Sequence, residues 1–175
     1  MRLFVAFSPP PDVRAALAAL KTDDLVRARW VDAARLHATL RFIGPVEPSS
    51  LGELEAALER VRSPPIAVRC DGVGTFGRPP RVVWVGLEPA APLTALAGQV
   101  DAAVQAAGLP PADQPFRPHL TLARLKGAPP HQVRRFVAET AVDLGPFVVD
   151  RFELVESRLS EAGPAYRVVR GFGLG

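Results

Sequence analysis

A four-residue pattern, a histidine, any residue, a threonine and a hydrophobic residue, occurs twice in this chain. The first copy begins at His37 and includes Thr39, and the second begins at His119 and includes Thr121. Side chains of a β-strand alternate between its two faces, so the histidine and the threonine of each copy point the same way. Each copy is therefore predicted to be a half-buried strand with one imidazole and one hydroxyl on its polar face.

The two copies occupy matched places in a longer internal repeat of approximately residues 1–75 and 80–160. Each half begins with a predicted strand, Leu3–Phe7 or Val82–Leu87, which is followed by a proline corner and a helix. A second helix and another strand follow the four-residue pattern, called the tetrad below, in both halves. The repeat predicts two similar α/β lobes within a single domain, 1–175, related by an approximate two-fold axis. If that axis runs between the tetrad strands, both histidines face a central cleft.

The remaining predicted elements follow from hydrophobic periodicity and from Gly, Pro and capping signals. They are the helices Asp12–Lys21, Ser50–Val61, Leu93–Ala107 and His131–Thr140, the strands Ile66–Val73 and Phe147–Val155, and a final hairpin of Glu153–Leu159 and Tyr166–Phe172. Ser49 or Ser50, with Glu53, is predicted to cap its helix through a capping box. Gly74–Pro80 is the best boundary between the two halves.

Length and composition are typical of a folded protein with a substantial core. The chain has 175 residues, of which 48% are hydrophobic, and its mean hydropathy is +0.13. It lacks an apolar run near the roughly 18 residues that span a bilayer, and its N-terminal apolar run is too short for a signal peptide. The single cysteine, Cys70, excludes an intrachain disulfide and fits a reducing compartment. We therefore expect a cytoplasmic protein without a membrane partner, and a monomer.

The positive charge of the chain is almost entirely arginine. The formal net charge is +3 and the isoelectric point is about 9.7, with lysine only at Lys21 and Lys126. The planar guanidinium fork is well suited to phosphate. The excess is modest, so it predicts tolerance of anions and not a nucleic-acid coat. A bias in genomic base composition explains the same excess equally well.

Several common catalytic arrangements are absent from the sequence. Zinc needs three or four ligands, and the one further histidine, His131, lies at a predicted helix start where we expect it on the surface. A nucleophile elbow, G-x-S-x-G, does not occur. Gly72-Val73-Gly74 lacks the spacing and the lysine of a phosphate-binding P-loop. The sequence therefore predicts neither a metal nor a cofactor.

Two imidazoles suit in-line displacement at phosphorus. One neutral histidine accepts a proton from water or a hydroxyl group, and one protonated histidine donates a proton to the departing oxygen. Thr39 and Thr121 would donate hydrogen bonds to the non-bridging phosphate oxygens, where charge builds up. An isolated tetrad equally fits an exposed sheet face. Two matched copies in a repeat favour a shared site for His37 and His119.

The segments around the tetrads, LHATLRFIG and RPHLTLARL, resemble the paired motifs of the 2H phosphoesterase superfamily. More narrowly, they are similar to those of the RNA 2′,3′-cyclic phosphodiesterase family, also called 2′-5′ RNA ligases. The resemblance covers nearly the whole chain. It includes Trp30 and the segments Phe4–Phe7, Gly74–Gly77, Arg81–Val85, Glu156–Ser160 and Gly163–Tyr166.

The resemblance implies an α+β, bilobal fold with a pseudo-two-fold axis, in which two antiparallel sheets line a central cleft and helices pack outside. It implies metal-free hydrolysis of RNA 2′,3′-cyclic phosphate ends, or of cyclic nucleotides, to 2′-phosphomonoesters. It assigns His37 as the general acid to O3′ and His119 as the base for water. From the residues alone the two roles are interchangeable.

Two further roles are implied by the resemblance. Phe42 and Arg124 each lie five residues after their histidine, and they are assigned to stacking on the terminal base and to phosphate contact. Strict alternation places both on the face opposite the histidines, so these roles require a bulge, a twist or a strand end. A core position for Phe42 fits the sequence equally well. Arg41 and Arg117 share the face of the histidines and could steer RNA or simply be solvated.

Three aromatic residues are candidates for contacts to RNA bases: Trp30, Phe76 and Trp84, of which Trp84 lies in a Val-rich run that favours the core. Tyr166 could also reach the cleft. Two alternative functions stay open, which are 2′-5′ RNA ligation, the reverse reaction, and binding of phosphorylated RNA ends without turnover.

Overall fold

The computed structural model describes residues 1–175 as nine strands and four helices. In chain order they are β1 (Arg2–Phe7), α1 (Pro11–Ala18), β2 (Ala28–Trp30), β3 (Ala38–Pro45), α2 (Leu51–Leu58), β4 (Ile66–Phe76), β5 (Val82–Glu88), α3 (Ala90–Ala106), β6 (His119–Leu125), α4 (Pro130–Glu139), β7 (Asp143–Val149), β8 (Arg151–Ser160) and β9 (Gly163–Gly173). None of the helices is both long enough and apolar enough to cross a membrane.

The strands form two antiparallel sheets, which confirms the predicted α+β class. One sheet has the order β3-β1-β8-β9 and the other has the order β2-β6-β5-β4-β7. The series β3-β1-β8 and β6-β5-β4 are equivalent by the internal repeat. Each sheet thus takes its third strand from the opposite half of the sequence. Gly74–Pro80, the predicted boundary between halves, comprises the end of β4 and most of its connection to β5, and these two strands pair within one sheet.

Alternation along β1 shows how a sheet separates core from cleft. Leu3, Val5 and Phe7 belong to the main hydrophobic core. Phe4 and Ala6 point to the other face, where they form a small separate cluster with Val155. Side chains of α3 spaced three and four residues apart bury one helical face in the main core. These residues are Leu93, Leu96, Val100 and Val104. The helices therefore cover the outer faces of the sheets and leave the inner faces for the cleft.

Two expectations about local structure are wrong. The predicted strand Phe147–Val155 is two strands, because the chain passes from one sheet to the other at Asp150. Apolar residues continue on both sides of that point, so hydrophobicity alone does not mark the crossing. The side chain of Ser50 does not cap α2. A single 3₁₀ turn, Pro48–Ser50, leads directly into the helix instead.

Candidate active site

A cavity of about 210 Å³ lies between the inner faces of the two sheets. It brings together the six residues to which catalysis, phosphate binding or base stacking was assigned: His37, Thr39, Phe42, His119, Thr121 and Arg124. The other residues that line it are Phe4, Arg29, Trp30, Val31, Arg35, Ser157, Pro164 and Tyr166. Because β3 and β6 belong to different sheets, the cavity combines one histidine and one threonine from each half of the repeat.

The two imidazoles are held in the same way. Nδ1 of His37 lies 2.6 Å from the carbonyl oxygen of Arg35, and Nδ1 of His119 lies 2.6 Å from that of Arg117. A carbonyl oxygen only accepts a hydrogen bond, so each Nδ1 donates its proton to the residue two positions earlier. Nε2 is then the nitrogen that each ring has free for proton exchange. When the ring is neutral, Nε2 accepts a proton, and when the ring is protonated, Nε2 donates one.

Aromatic rings fix the orientation of both imidazoles. The ring of His37 lies 5.1 Å from that of Phe4 and 5.3 Å from that of Tyr166, centroid to centroid. The ring of His119 lies 4.9 Å from that of Phe76, edge to face. Phe76 is an aromatic candidate from the sequence, and here it supports a histidine. The sequence did not indicate a role for Phe4 in the site. Only the alternation along β1 places its side chain on the cleft face.

Trp84 faces the cleft side of its sheet and not the core that the Val-rich run favours. Its ring lies 5.4 Å from that of Phe76. It also covers Gly74, where an added β-carbon would lie 2.3 Å from the indole. Glycine is therefore required at this position in β4, since any side chain would displace the Trp84 ring that packs against Phe76.

Burial lowers the pKa of both histidines below the ordinary value. For His37 the largest cause is desolvation, to which the charges of Arg124 and His119 add, while the hydrogen bond to the Arg35 carbonyl opposes them. For His119 the largest cause is again desolvation, opposed by its own backbone hydrogen bond and reinforced by Arg117 and Arg124. The contribution of His119 to the lowered pKa of His37 is consistent with two imidazoles that line the same cavity.

Each tetrad strand contains a β-bulge at the same position. In the first sheet, Arg41 pairs with Val5 and Thr39 pairs with Ala6, which leaves Leu40 as the extra residue. In the second sheet, Ala123 pairs with Val83 and Thr121 pairs with Trp84, so the extra residue is Leu122. A bulge shifts the alternation by one residue, so everything beyond it changes face.

The bulges turn Phe42 and Arg124 into the cleft. Both side chains line the cavity, although strict alternation places them on the opposite face. Phe42 is 51% exposed, which is wrong for a core residue, and the guanidinium of Arg2 lies 5.2 Å from its ring centroid. The roles of Phe42 and Arg124 required a bulge, a twist or a strand end, and a bulge is present in both strands.

The same bulge removes Arg41 from the face of the histidines, so the expected shared face is wrong for this residue. Arg41 is buried and pairs with Asp101 of α3 at 2.6 Å. It also donates to the backbone carbonyls of Phe42 and Pro110. Its role is structural. Arg117, by contrast, is exposed and lies 5.5 Å from the ring centroid of Phe76, beside His119.

Of the remaining sequence candidates, Trp30 and Tyr166 line the cavity and His131 does not. Trp30 lines the cavity, but its ring packs against Phe136 of α4 at 5.5 Å. Tyr166 does reach the cleft, where it contacts both His37 and Phe4. His131 is exposed at the start of α4, as expected for a surface residue. Three or more His, Cys, Asp or Glu side chains do not cluster anywhere in the fold in a way that could hold a metal ion.

Each of the two sheets includes a strand from the opposite half of the chain and places one histidine and one threonine on the shared cavity. This arrangement defines a 2H phosphoesterase. Within that class the chain belongs to the 2′-5′ RNA ligase superfamily, whose family model matches residues 9–161. A relative from Archaeoglobus fulgidus, named RNA 2′,3′-cyclic phosphodiesterase, is 33% identical over 98% of this chain and 99% of its own length. A relative of the same name from Thermus thermophilus is 34% identical over 99% of this chain and 90% of its own.

Solved structures show the same fold. TT0787 of Thermus thermophilus superposes with a TM-score of 0.82 at 33% identity, covering 99% of this chain and 97% of that one. The LigT protein of E. coli in complex with 3′-AMP superposes with a TM-score of 0.77 at 28% identity, with the same coverage of both chains. The similarity in both cases includes the whole two-sheet architecture and not one lobe alone.

Proposed function

We propose that this protein hydrolyses RNA 2′,3′-cyclic phosphate ends to 2′-phosphomonoesters by a two-histidine acid–base mechanism. The observation that supports it most strongly is the pair of imidazoles on one cavity, each with Nδ1 bound to a carbonyl and Nε2 free. Membership of the superfamily and the shared name of the relatives agree with this reaction class.

In the proposed reaction, Nε2 of His119 accepts a proton from water as the water oxygen bonds to phosphorus. The bond between phosphorus and O3′ breaks, and Nε2 of His37 donates a proton to the departing O3′. The phosphate stays on O2′. The two rings are nearly equivalent, so we take the assignment of acid and base that the family resemblance implies. Solvent exchange then returns both histidines to their starting states.

The other cleft residues bind and stabilise the substrate. Thr39 and Thr121 donate hydrogen bonds to the non-bridging oxygens, and the Arg124 guanidinium neutralises the charge that develops there. The exposed ring of Phe42 offers a stacking surface for the terminal base. These contacts place phosphorus between the two Nε2 atoms.

The lowered pKa values couple protonation to substrate binding. In the free enzyme both histidines favour the neutral form, because burial and nearby arginines disfavour a further positive charge. A bound phosphate anion favours the imidazolium form. The substrate therefore promotes protonation of the histidine that must act as the acid.

Replacement of either catalytic histidine by alanine tests the mechanism. We expect His37→Ala and His119→Ala each to lower turnover of an oligonucleotide ending in 2′,3′-cyclic phosphate by about 10²–10⁴-fold. The matched control is His131→Ala, since His131 is exposed and outside the cavity. Near wild-type turnover by either single variant would show that these histidines are not the acid–base pair.

We also propose that the reaction requires no metal. The cavity offers imidazoles, hydroxyls and guanidinium groups but no carboxylate or thiolate among the residues that line it. Activity should therefore be unchanged after dialysis against EDTA. Complete loss on chelation, with recovery on addition of a divalent metal, would contradict this part of the proposal.

Ligation and non-catalytic binding are the alternatives. Ligation uses the same two histidines in reverse and becomes favourable only if a second RNA is held at high effective concentration. Intact histidines and threonines in both tetrads speak against a binding module. As the setting of the reaction we propose the cytoplasm, since the lone Cys70 is buried and suits a reducing compartment.

A further inference from the structure

The active-site cavity holds more positive charge than a cyclic phosphate needs. Arg29, Arg35 and Arg124 line it beside the two histidines, and it has no Asp or Glu among its lining residues. A cyclic phosphodiester has a single negative charge. In the proposed reaction, Arg124 and one protonated histidine already carry more positive charge than that single negative charge needs, so the other two arginines need a separate explanation.

Arg35 has partners within the protein. Its guanidinium lies 3.2 Å from a carboxylate oxygen of Asp32 and donates to the carbonyl oxygen of Pro164 at 3.1 Å. These contacts connect the segment before His37 to β9. The charge of Arg35 is thus partly neutralised by Asp32, and its contacts with Asp32 and Pro164 account for its position.

Arg29 has no carboxylate within ion-pair distance. It lies in β2 directly opposite Arg124 in β6, so both side chains project from the same face of the sheet. Like charges at directly paired positions are destabilising. Two guanidinium groups in this arrangement, without a paired carboxylate, form a site that a bound anion would stabilise.

The short strand β2 holds Arg29 at the cavity. Its neighbour Trp30 packs against Phe136, and the N–H of Val31 donates to the carbonyl of Leu122 at 2.9 Å. Arg29 itself is exposed, so a ligand can reach its guanidinium. An ordered backbone with an accessible, unpaired arginine is suited to binding an anionic group of the substrate.

We propose that Arg29 binds a second phosphate of the substrate, the one attached to the 5′ oxygen of the terminal nucleoside. This inference rests on the proposed function. The 2′ and 3′ oxygens are occupied by the scissile phosphate, so the 5′ oxygen is where a second phosphate joins the same nucleoside. Arg29 then makes the enzyme prefer 5′-phosphorylated or chain-linked ends over a cyclic nucleoside monophosphate that lacks this group.

The test compares kcat/KM for three substrates with the same terminal base. They are a nucleoside 2′,3′-cyclic phosphate, the same compound with a 5′-phosphate, and a dinucleotide ending in the cyclic phosphate. Arg29→Gln should lower kcat/KM about tenfold for the second and third substrates, which is the loss expected for one charge-assisted hydrogen bond. It should leave the first substrate unchanged, and Arg29→Lys should restore part of the loss.

Two controls separate this contact from general electrostatics. Arg27→Gln removes the same charge two residues away, outside the cavity, and should leave all three values unchanged. A dinucleotide whose linkage is an uncharged methylphosphonate should be insensitive to Arg29→Gln. An equal loss on all three substrates, or none on any, would overturn the role of Arg29 while leaving the hydrolase intact. Failure of the wild type to hydrolyse any cyclic phosphate would instead overturn the proposed function and this inference with it.

Discussion

At the scale of single residues, the two histidines differ in their aromatic and charged neighbours but make the same hydrogen bond to the backbone. Each donates Nδ1–H to the carbonyl two residues earlier. His37 lies between Phe4 and Tyr166, whereas His119 contacts Phe76 with Arg117 nearby. The two motifs carry the same residues, and the structure gives both rings the same tautomer, so the acid and base roles are equivalent at this level. The aromatic neighbours come from distant strands, and neither motif indicates them.

The pH dependence of turnover follows from the lowered pKa values. We expect a bell-shaped profile, because one histidine must be protonated and the other neutral. The limbs of kcat/KM, which report the free enzyme, should lie at lower pH than those of kcat, because the bound phosphate raises both pKa values. The measurement is steady-state kinetics on a cyclic-phosphate substrate across about pH 5–9, the range in which histidines titrate.

The limbs belong to the coupled pair and not to either residue. Residual activity of His37→Ala or His119→Ala should lose one limb of the bell, while His131→Ala should keep both. A flat wild-type profile across the same range would contradict the two-histidine mechanism.

At the scale of elements, the two β-bulges decide which side chains enter the site. The alternation of each tetrad strand predicted that its histidine and threonine share a face. In the structure His37, Thr39, His119 and Thr121 line one cavity. Beyond Leu40 and Leu122 the prediction fails, since a bulge leaves no mark in a hydrophobic pattern. The one signal was energetic, because Arg124 on an apolar face would be an unpaired buried charge. Arg41 gave no such signal, because strict alternation places it on the polar face with His37. Its burial and its pairing with Asp101 depend on the bulge and on the packing of α3.

Replacement of Arg41 tests its structural role. Arg41→Met keeps much of the side-chain volume but removes the ion pair to Asp101, which keeps donors from Gln105 and Ala112. It also leaves the backbone carbonyls of Phe42 and Pro110 without this donor. We expect the free energy of unfolding to fall by about 1–3 kcal/mol, the usual range for an unsatisfied buried polar group. Denaturant titration measures it.

The control for this variant is Arg117→Met, which removes an exposed guanidinium near the same site and should change the free energy of unfolding little. If Arg41→Met were as stable as the wild type, Arg41 would not be the anchor between β3 and α3.

At the scale of the whole molecule, the repeat is visible in the sequence, but the exchange of strands is not. Matched order and spacing predicted two lobes around a cleft. The third strand of each sheet comes from the opposite half, because β4 pairs with β5 and β8 pairs with β1. Hydrophobic patterns identify strands but not their partners, so the assignment of strands to sheets required the structure. The same limit explains why the crossing at Asp150 was missed.

Strand exchange predicts one cooperative unit. Neither half can bury its sheet without the other, so thermal and denaturant unfolding should each show a single transition by near- and far-ultraviolet circular dichroism. The midpoint should not depend on protein concentration, since we expect a monomer. Two separated transitions would mean independent lobes, and a concentration-dependent midpoint would mean an oligomer.

In the proposed reaction, phosphate stays on O2′ while O3′ leaves with the proton of a histidine. The most direct measurement is the phosphate position in the product from a short oligonucleotide ending in 2′,3′-cyclic phosphate. It is read by ³¹P NMR against authentic 2′- and 3′-phosphate standards, in EDTA, for the wild type and both histidine variants. We predict a 2′-phosphate alone with the wild type and almost no product with His37→Ala or His119→Ala. A 3′-phosphate product, or an unchanged cyclic phosphate with the wild type, would contradict the claim.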